Sequence, residues 1–327
     1  MDNEEKKIRR IGVLTSGGDA PGMNAAVRAV VRMARYKGIE CIGIRRGYNG
    51  LINGDIVEMN STSVNGLIVR GGTFLYTARC PEFMTKEGQE RAITTCRYLG
   101  LDGIIGIGGD GTFRGLADLS EFGVSCIGIP ATIDNDIGCT HYTIGFDTAC
   151  NTAIDSIDKL RDTMQSHERC SIVEVMGRNA GHLALYVGIA CGATAVLVPE
   201  KANDIENDVV EKIRKARIRG RTHFIIIVAE GVGNVMEISD KVKELTGLEP
   251  RVTILGHVQR GGSPTARDRV TASRMGVHAV QALIDGKKNR IVSIIGGEML
   301  DVDLVEGIHV KKDLQESMYQ AAVMLTQ

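Results

Sequence analysis

The sequence predicts an α/β protein with two doubly wound domains. Three observations support this prediction: short runs rich in Ile and Val alternate with helical patterns, nine such runs are too many for one parallel sheet, and 40 of the 327 residues are glycine. Continuous apolar runs are typical of parallel strands that are buried on both faces. Glycine at about 12% exceeds the usual ~7%, which indicates tight turns or loops beside a ligand.

The apolar runs give the strands in order. Each has four to six residues bounded by glycine or polar residues, and they lie at 11–14, 39–44, 103–108, 125–129, 171–176, 195–198, 224–229, 252–255 and 291–295. Helical patterns lie between them at 22–37, 87–99, 113–121, 147–165, 180–190, 204–219, 235–246, 266–285 and 312–325. This alternation predicts layered α/β domains, in which ligands bind at the carboxyl ends of the strands.

Composition argues against several classes of function. Lys and Arg total 39 against 40 for Asp and Glu, so the net charge is −1, and aromatic residues make up 4% with no Trp. Neither a basic surface nor a stacking platform for nucleic acid is therefore expected. The eight cysteines show no Cys-x-x-Cys spacing, which argues against zinc or redox use.

Two segments of the sequence bear on the cellular location of the protein. The first ten residues, MDNEEKKIRR, lack the apolar core of a signal peptide. The uncharged stretch 179–199 contains His182 and three glycines, and we interpret it as a buried helix and strand rather than a membrane span. We expect a cytoplasmic protein with reduced cysteines and no membrane or nucleic-acid partner.

Four loops contain paired glycines beside predicted strands, at 16–22, 70–73, 106–112 and 259–264. The first and third run directly into a helix, where backbone amides and the helix N-terminus favour an anion. These loops predict phosphate binding, although each alone could be only a tight turn. The third matches the Gly-x-Gly-x-x-Gly dinucleotide pattern, but the acidic residue expected after the next strand is missing, and no Walker A motif occurs.

Acidic residues follow two of the strands. Asp110 lies in the third glycine loop, where a Mg²⁺ that carries nucleotide phosphates would need a carboxylate; alternatively it caps a helix that begins near Thr112. In PATIDNDI (130–137), Thr132, Asp134 and Asp136 alternate and would face one way if the segment is extended. Paired carboxylates are typical of acid–base catalysis, with an aspartate-stabilised turn as the alternative.

Cationic side chains cluster at strand ends and suit a substrate rich in phosphate, although the arginines could be solvated and the histidine structural. They are Arg169, Arg178, Arg251, His257 and Arg260. Glu230 ends another strand, where it could accept hydrogen bonds from sugar hydroxyls or simply be solvated. Together the residues predict Mg²⁺-assisted phosphoryl transfer between a nucleotide and a small phosphorylated substrate that bears a hydroxyl group.

Seven motifs cover nearly the whole chain: LTSGGDAPGMNAAVR (14–28), RGGTFLYTAR (70–79), IGGDGT (107–112), PATIDNDI (130–137), TIGFDTA (143–149), VEVMGR (173–178) and LGHVQRGGSP (255–264). In this order and spacing they resemble the ATP-dependent 6-phosphofructokinases of the bacterial type. The resemblance implies phosphoryl transfer from MgATP to the 1-hydroxyl of fructose 6-phosphate, a step of glycolysis. It also implies a homotetramer in which Arg169 and Arg251 reach into a neighbouring subunit's active site.

The family's domain organisation follows from the same resemblance. It implies a large ATP-binding domain, 1–145 plus 259–311, and a smaller sugar-phosphate domain, 146–258 plus 312–327. The active site is expected in the cleft between the two domains.

The resemblance implies a role for each motif residue. Asp134 would take the proton from the sugar's 1-hydroxyl, and the other catalytic residues would be Thr132, Arg178 and Asp136. The residues implied for ATP are Gly18, Tyr48, Arg79, Cys80, Gly109, Asp110, Gly111 and Thr112, with Asp110 on Mg²⁺. The residues implied for fructose 6-phosphate are Thr132, Ile133, Asp134, Arg169, Met176, Gly177, Arg178, Glu230, Arg251, His257 and Arg260.

Two positions indicate that the phosphoryl donor is ATP. Relatives that use pyrophosphate carry Asp at the position of Gly111 and Lys at that of Ala131, and an Asp would crowd and repel the α-phosphate of a nucleotide. Ala131 is a mild departure, because the ATP-using family usually has Gly there. NAD and lipid kinases share GGDGT but do not fit PATIDND or LGHVQRGGSP. A non-catalytic homologue should have lost Asp134, Asp110 or Arg79, and all three are present.

A second nucleotide site between subunits is also implied, and this chain departs from the family there. The candidate effector residues are Arg28, Arg32, Ser61, Arg161, Gly192, Thr194, Arg219 and Arg221. Thr194 replaces a metal-binding Glu of the family, and Ser61 replaces an Arg. We therefore expect weak or absent activation by ADP and an altered response to phosphoenolpyruvate; alternatively both replacements are neutral.

Overall fold

The strands and helices alternate along most of the chain. The computed structural model describes residues 8–167 and 169–325. The strands are β1 (Arg10–Thr15), β2 (Glu40–Ile44), β3 (Ile56–Met59), β4 (Gly103–Gly108), β5 (Ser125–Pro130), β6 (Cys170–Val175), β7 (Ala195–Leu197), β8 (Phe224–Ala229), β9 (Arg251–Ile254), β10 (Arg290–Ile295) and β11 (Glu298–Asp303). The helices are α1 (Met23–Tyr36), α2 (Tyr48–Asn53), α3 (Lys86–Tyr98), α4 (Asp110–Glu121), α5 (Phe146–His167), α6 (His182–Ala190), α7 (Glu211–Ile218), α8 (Val235–Thr246), α9 (Ala266–Ile284), α10 (Leu304–His309) and α11 (Glu316–Leu325).

The chain forms two compact units. The first contains the described residues up to Thr132, together with Ile137–Asp147 and Arg260–Lys312. The second contains Ile133–Asp136, Thr148–Gln259 and the described residues from Asp313 onward. Each unit therefore has its own sheet and its own core.

The first unit is built on a seven-stranded sheet in the order β11-β10-β5-β4-β1-β2-β3. Its five central strands run parallel, while β3 and β11 are antiparallel at the two edges. Every residue of β4 is buried, because helices cover both faces of a parallel sheet. On one face α1 packs closely on α9, so that a β-carbon on Gly276 would lie 2.6 Å from the Ala29 methyl group.

The second unit is built on a four-stranded, all-parallel sheet in the order β7-β8-β6-β9. The central strand β8, FIIIVA, is buried along its whole length, and α7 and α8 contribute to the core on one face. Asn234 caps α8 by accepting a hydrogen bond from the Met236 amide, and Gly247 ends that helix in the left-handed conformation. The strand β9 lies at the edge of the sheet with its ends exposed.

The prediction of two sheets and of nine strands is confirmed, with each strand within one residue of its predicted bounds at either end. Sequence reasoning missed the edge strands β3 and β11 and the six-residue helices α2 and α10. The predicted helix at 204–219 begins instead with a π-helical turn, Glu206–Val210, before α7. The predicted helix at 312–325 begins only at Glu316.

Candidate active site

Three loops of the first unit meet where the adjacent parallel strands β1, β4 and β5 end. The Ser16 amide donates to the Ile107 carbonyl (3.0 Å), and the Ala131 amide donates to the Gly108 carbonyl (2.9 Å). A β-carbon on Gly108 would lie 2.2 Å from Thr112 Oγ1 and 2.4 Å from the Ser16 carbonyl oxygen, so only glycine fits there. The predicted phosphate loops therefore share one sheet edge, as the doubly wound topology requires.

Asp110 lies in the first turn of α4 rather than capping it. The helix begins at Asp110 itself, after Gly109, which makes no side-chain cap. The alternative of a helix that begins near Thr112 with Asp110 as its cap is therefore wrong. The Asp110 carboxylate accepts a hydrogen bond from Arg114 Nε (3.0 Å), and its side chain is 38% exposed. Among the described atoms, none lies within 4 Å of where a β-carbon on Gly111 would stand, so this helix N-terminus is open to a ligand.

The chemistry of this loop fits a magnesium ion that comes with its phosphates. In the described ranges no group of three or more His, Cys, Asp or Glu side chains could hold a metal. Magnesium usually takes one or two protein carboxylates and keeps water and phosphate oxygens as its other ligands. A single exposed carboxylate beside an anion-binding helix N-terminus meets that requirement.

Tyr48 supports the nucleotide loop from the core side. Its hydroxyl donates to the Thr112 carbonyl (2.5 Å), and its ring stacks on Phe83 with centroids 4.3 Å apart. Burial raises the pKa of the Tyr48 hydroxyl well above its usual range. The residue is only 6% exposed, so Tyr48 contacts the loop from the core side. Arg79 is exposed and Cys80 half-buried, directly before a 3₁₀ turn at Pro81–Met84.

Asn24 was missed by sequence reasoning, and it holds the loop that leads to Arg79. Its Nδ2 donates to the carbonyls of Arg70 and Gly71 (3.1 Å each), and its Oδ1 accepts from the Phe74 amide (2.6 Å). The side chain is 1% exposed. A polar residue on the buried side of a helix that follows a glycine loop is the signal that could have identified it.

Arg260 lies against the first glycine loop. A β-carbon on Gly18 would come within 2.5 Å of Arg260 Nη1, which also donates to the Asp19 carbonyl (3.2 Å). The resemblance assigned Gly18 to ATP and Arg260 to the sugar phosphate. Within the first unit the structure thus brings together one residue from each set.

The PATIDNDI segment turns instead of continuing as a strand. After Pro130 the chain makes one bridge, from Ala131 to Ile144, and then turns at 133–134. Asn135 follows with φ of 51°, in the left-handed region. The segment is therefore not extended, and the condition under which Thr132, Asp134 and Asp136 would face one way is not met, because a left-handed residue breaks the period of two. Asp134 is buried, with 6% exposed, whereas Thr132 and Asp136 are half-buried.

A tight turn at the carboxyl end of β6 gathers several predicted sugar-site residues of the second unit. Met176 and Gly177 are buried, and the exposed Arg178 has φ of 57°. Glu230, directly after β8, accepts hydrogen bonds from the amides of Gly177 (3.1 Å) and Arg178 (2.6 Å). Burial, and then the nearby Glu230 carboxylate, raise the pKa of Glu174 on β6. His257 is exposed in the 3₁₀ turn that follows β9.

Arg169 and Arg251 lie at the opposite end of the same sheet. Arg169 directly precedes β6, and Arg251 is the first residue of β9, paired with Ser171. The six residues of β6 separate them from the Arg178 turn by about 20 Å at ~3.3 Å per residue. Within one chain, these two arginines therefore do not join the other predicted sugar-site residues of the second unit.

A cavity of about 240 Å³ in the second unit contains part of the predicted effector set. It is lined by Arg161, Gly192, Thr194, Arg221, His223 and Ile225, of which the last two were not predicted. The Thr194 hydroxyl accepts from the Ile225 amide (3.3 Å), and the Arg161 guanidinium donates to the Cys191 carbonyl. Arg219 lies just beyond the end of α7.

The remaining effector candidates belong to the first unit. Arg28 and Arg32 lie one turn apart on α1, and burial, followed by the charge of Arg32, lowers the pKa of Arg28. Arg32 donates to Asn65 Oδ1 (3.2 Å), in the turn segment that begins at Ser61. The predicted set is thus divided between the two units of one chain.

The parallel sheets and the phosphate loops at strand ends define an α/β enzyme that handles phosphorylated ligands. The phosphofructokinase family model matches residues 10–283, and the chain belongs to this family. An ATP-dependent 6-phosphofructokinase of Clostridium acetobutylicum is 54% identical over 98% of this chain and all of its own length. One from Clostridium botulinum strain Loch Maree is 52% identical with the same coverage.

Solved structures agree with this membership. A crystal structure of Pichia pastoris phosphofructokinase in the T-state superposes with a TM-score of 0.88 at 36% identity, over 99% of this chain. The chain spans 39% of the length of that yeast protein. In the part of the chain that is described, no helix is long and apolar enough to cross a membrane.

Proposed function

We propose that this chain is a glycolytic kinase that transfers the terminal phosphoryl group of ATP to the 1-hydroxyl of fructose 6-phosphate, giving fructose 1,6-bisphosphate and ADP. The observation that carries the proposal is the meeting of the loops after β1, β4 and β5 at one sheet edge, in a member of the phosphofructokinase family. The identity of over 50% to ATP-dependent 6-phosphofructokinases supports the same reaction.

Asp134 is the base in this proposal. The sugar's 1-oxygen attacks the terminal phosphorus, the bond from that phosphorus to the ADP oxygen breaks, and the 1-hydroxyl proton passes to the Asp134 carboxylate. Asp134 suits the role because a carboxylate can accept a proton and this one is buried immediately after β5. Thr132 and Arg178 hold the transferring group, where a guanidinium offsets the growing negative charge.

The first unit binds the nucleotide and the second unit binds the sugar phosphate. The open N-terminus of α4, from Gly109 to Thr112, receives the ATP phosphates, and Gly18, Arg79 and Cys80 also bind ATP. Asp110 holds Mg²⁺, which when bound neutralises charge on the phosphates. Met176, Gly177, Arg178 and His257 form the sugar side, and Glu230 accepts hydrogen bonds from the amides of Gly177 and Arg178 within it.

Arg169 and Arg251 act in the site of a neighbouring subunit of a homotetramer. Their position at the far end of β6 supports this assignment, because within one chain they lie a strand's length away from Arg178. The effector candidates are divided in the same way between the two units, which suits a second anion site completed by another subunit. The reaction takes place in the cytoplasm, with soluble substrates and no nucleic-acid or membrane partner.

A donor comparison tests the proposal. The purified protein is given fructose 6-phosphate with either MgATP or magnesium pyrophosphate, and fructose 1,6-bisphosphate is measured. We expect turnover with ATP and negligible turnover with pyrophosphate. Gly111→Asp should severely reduce the use of ATP, because a carboxylate would fill the open space over the loop and repel the phosphates. Equal turnover of the wild type with both donors would overturn the assignment of ATP.

A further inference from the structure

The turn after β6 carries an arginine in an unfavourable backbone conformation. Arg178 has φ of 57°, which residues other than glycine rarely adopt unless their surroundings hold them there. Gly177 before it has φ of 142°, where an alanine methyl would also lie 2.5 Å from the Ala180 carbonyl oxygen. The direction in which the Arg178 side chain leaves the backbone therefore depends on whatever fixes this turn.

A single carboxylate oxygen fixes the amide side of the turn. Glu230 Oε1 accepts hydrogen bonds from the amides of both Gly177 (3.1 Å) and Arg178 (2.6 Å). Bonds from backbone amides to a carboxylate are stronger than those between neutral groups. Because both bonds end on the same oxygen, a neutral carbonyl oxygen in the same place would preserve the arrangement.

The residue after Glu230 fixes the other side of the turn. A β-carbon on Gly231 would lie 2.5 Å from the Arg178 carbonyl oxygen and 3.3 Å from Asn179 Cα. The segment 230–231 thus holds the backbone of Arg178 by a hydrogen bond at its amide and by close packing at its carbonyl. Two independent contacts define one backbone conformation.

We propose that Glu230 is a positioning residue, which holds the Arg178 backbone in its left-handed conformation and so directs the guanidinium toward the transferring phosphoryl group. The inference rests on the proposed function, which gives Arg178 that role. It differs from the sugar-binding role that the resemblance implies for Glu230. A residue that positions Arg178 should affect kcat, whereas one that binds the sugar should affect KM for fructose 6-phosphate.

Two substitutions at one position separate these roles. Glu230→Ala removes the acceptor and should lower kcat by about 10- to 100-fold, since small misplacements of a catalytic group have effects of this size. Glu230→Gln keeps the oxygen that accepts both amide hydrogen bonds. Its kcat and its KM should both stay within about 2-fold of the wild-type values. Glu237→Gln is the matched control, because Glu237 is an exposed residue in the first turn of α8 that accepts a hydrogen bond from Asn234 Nδ2 (2.9 Å), and the change should leave both constants unchanged.

Gly231→Ala tests the same turn from the other side. The new methyl group would displace the Arg178 carbonyl, so we expect a loss of kcat similar to that of Glu230→Ala while the Glu230 side chain is intact. In an Arg178→Ala background, Glu230→Ala should lower kcat by less than about 2-fold, because residues that act through one another are not additive. An equal loss in both backgrounds would overturn the proposal, as would a Glu230→Gln variant with a large rise in KM and unchanged kcat.

Amide hydrogen exchange keeps the two proposals separable. In the protein without substrates, the amides of Gly177 and Arg178 should exchange faster in Glu230→Ala than in the wild type, and at the wild-type rate in Glu230→Gln. If the wild type fails to phosphorylate fructose 6-phosphate, the proposed function fails, and the exchange rates still decide whether Glu230 holds the turn. Unchanged exchange in Glu230→Ala would refute that role.

Discussion

Asp134 lies in a turn that the chain makes immediately after β5, where 6% of the residue is exposed. Its place depends on Asn135, whose left-handed conformation bends the segment, and on Thr132, whose carbonyl accepts from the Thr143 hydroxyl (2.7 Å). The carboxylate is thus supported by backbone geometry. An amide of the same size should therefore fit in its place without disturbing the turn.

Asp134→Asn keeps the size of the side chain but cannot accept the proton. We expect kcat to fall by about 10²- to 10⁴-fold, the usual range for loss of a general base. Binding of fructose 6-phosphate, measured by calorimetry, should weaken far less, and the melting temperature should confirm that the variant is folded. A variant that keeps more than about a tenth of wild-type turnover would exclude Asp134 as the base.

Sequence reasoning worked best for residues whose position depends on neighbours that are close in the sequence. Asp110 could be predicted in its glycine loop because the motif fixes both the loop and the helix that follows. Asn24 could not, because its three hydrogen bonds go to a loop about 50 residues away that no local pattern connects to it. Tyr48 was assigned to ATP, and the structure places its ring in the core, stacked on Phe83, with its hydroxyl donating to the Thr112 carbonyl.

At the scale of elements, the buried parallel strands were predictable and the edge strands were not. The strand β4, GIIGIG, is continuously apolar because both faces are covered, and that pattern is visible in the sequence. The edge strand β11, EMLDVD, carries three acidic residues, as edge strands often do to prevent further pairing. It also carries a buried carboxylate, whose partners lie on α9, on β10 and on the segment between them.

Asp301 on β11 is that carboxylate. It accepts hydrogen bonds from Lys287 Nζ (2.6 Å), Arg290 Nε (2.8 Å) and His278 Nε2 (3.2 Å), and its side chain is 5% exposed. Burial alone would raise the pKa of Asp301, but the hydrogen bonds from these three residues lower it to about 2. The folded state thus holds the ionised form more strongly than the unfolded state does.

Asp301→Asn should destabilise the protein at pH 7 by about 1–2 kcal/mol, reduced from the full value for a buried ion pair because Lys287 is half-exposed. The contribution of a carboxylate with a lowered pKa is complete above its unfolded value near 4, and it is lost as the pH falls toward 2. Urea midpoints of wild type and variant should therefore differ by a constant amount from pH 7 to about 5 and converge below that. Asp285→Asn, which changes an exposed carboxylate directly after the end of α9, should show neither effect. A difference that persists unchanged to pH 3 would contradict this account.

The cavity at the ends of α5, β7 and β8 gives a prediction about regulation. Its arginines Arg161 and Arg221 attract an anion, but the Thr194 hydroxyl is neutral and accepts from the Ile225 amide. A hydroxyl holds Mg²⁺ far more weakly than a carboxylate does. An effector shifts an equilibrium only by its difference in affinity for the two states, so the loss of the metal contact should reduce activation by a nucleotide diphosphate.

Saturation curves for fructose 6-phosphate at fixed ATP, with and without millimolar ADP, should therefore nearly coincide, and the response to phosphoenolpyruvate should be altered. Thr194→Glu should increase the leftward shift that ADP produces, since it adds the missing carboxylate. A large shift by ADP in the wild type would show that the remaining arginines are sufficient and that Thr194 and Ser61 are neutral replacements.

At the scale of the whole molecule, the resemblance implied that Arg169 and Arg251 act in a neighbouring subunit's site, but no sequence pattern gives their distance from Arg178. The resemblance implies that both arginines bind the sugar phosphate. Their distance from Arg178 depends on strand direction, which is a property of the folded sheet. In this sheet β6 and β9 are parallel and both arginines lie at the starting end, away from the Arg178 turn, which is the arrangement that the proposed shared site requires.

Arg251→Ala should raise the concentration of fructose 6-phosphate needed for half-maximal rate, with a loss of roughly 2–5 kcal/mol if the site excludes water, and should change the ATP requirement little. Arg251→Ala and Asp134→Asn subunits, each defective alone, should regain part of the wild-type activity when they are co-expressed and form mixed tetramers. In such a tetramer an intact Asp134 can meet an intact Arg251 from the neighbouring subunit, so some sites are complete. Co-expression of Asp134→Asn with Arg178→Ala is the control, because both residues belong to one chain's share of the site and no complete site can form. Equal activity from both pairs, or no recovery with Arg251→Ala, would mean that each active site is built within a single chain.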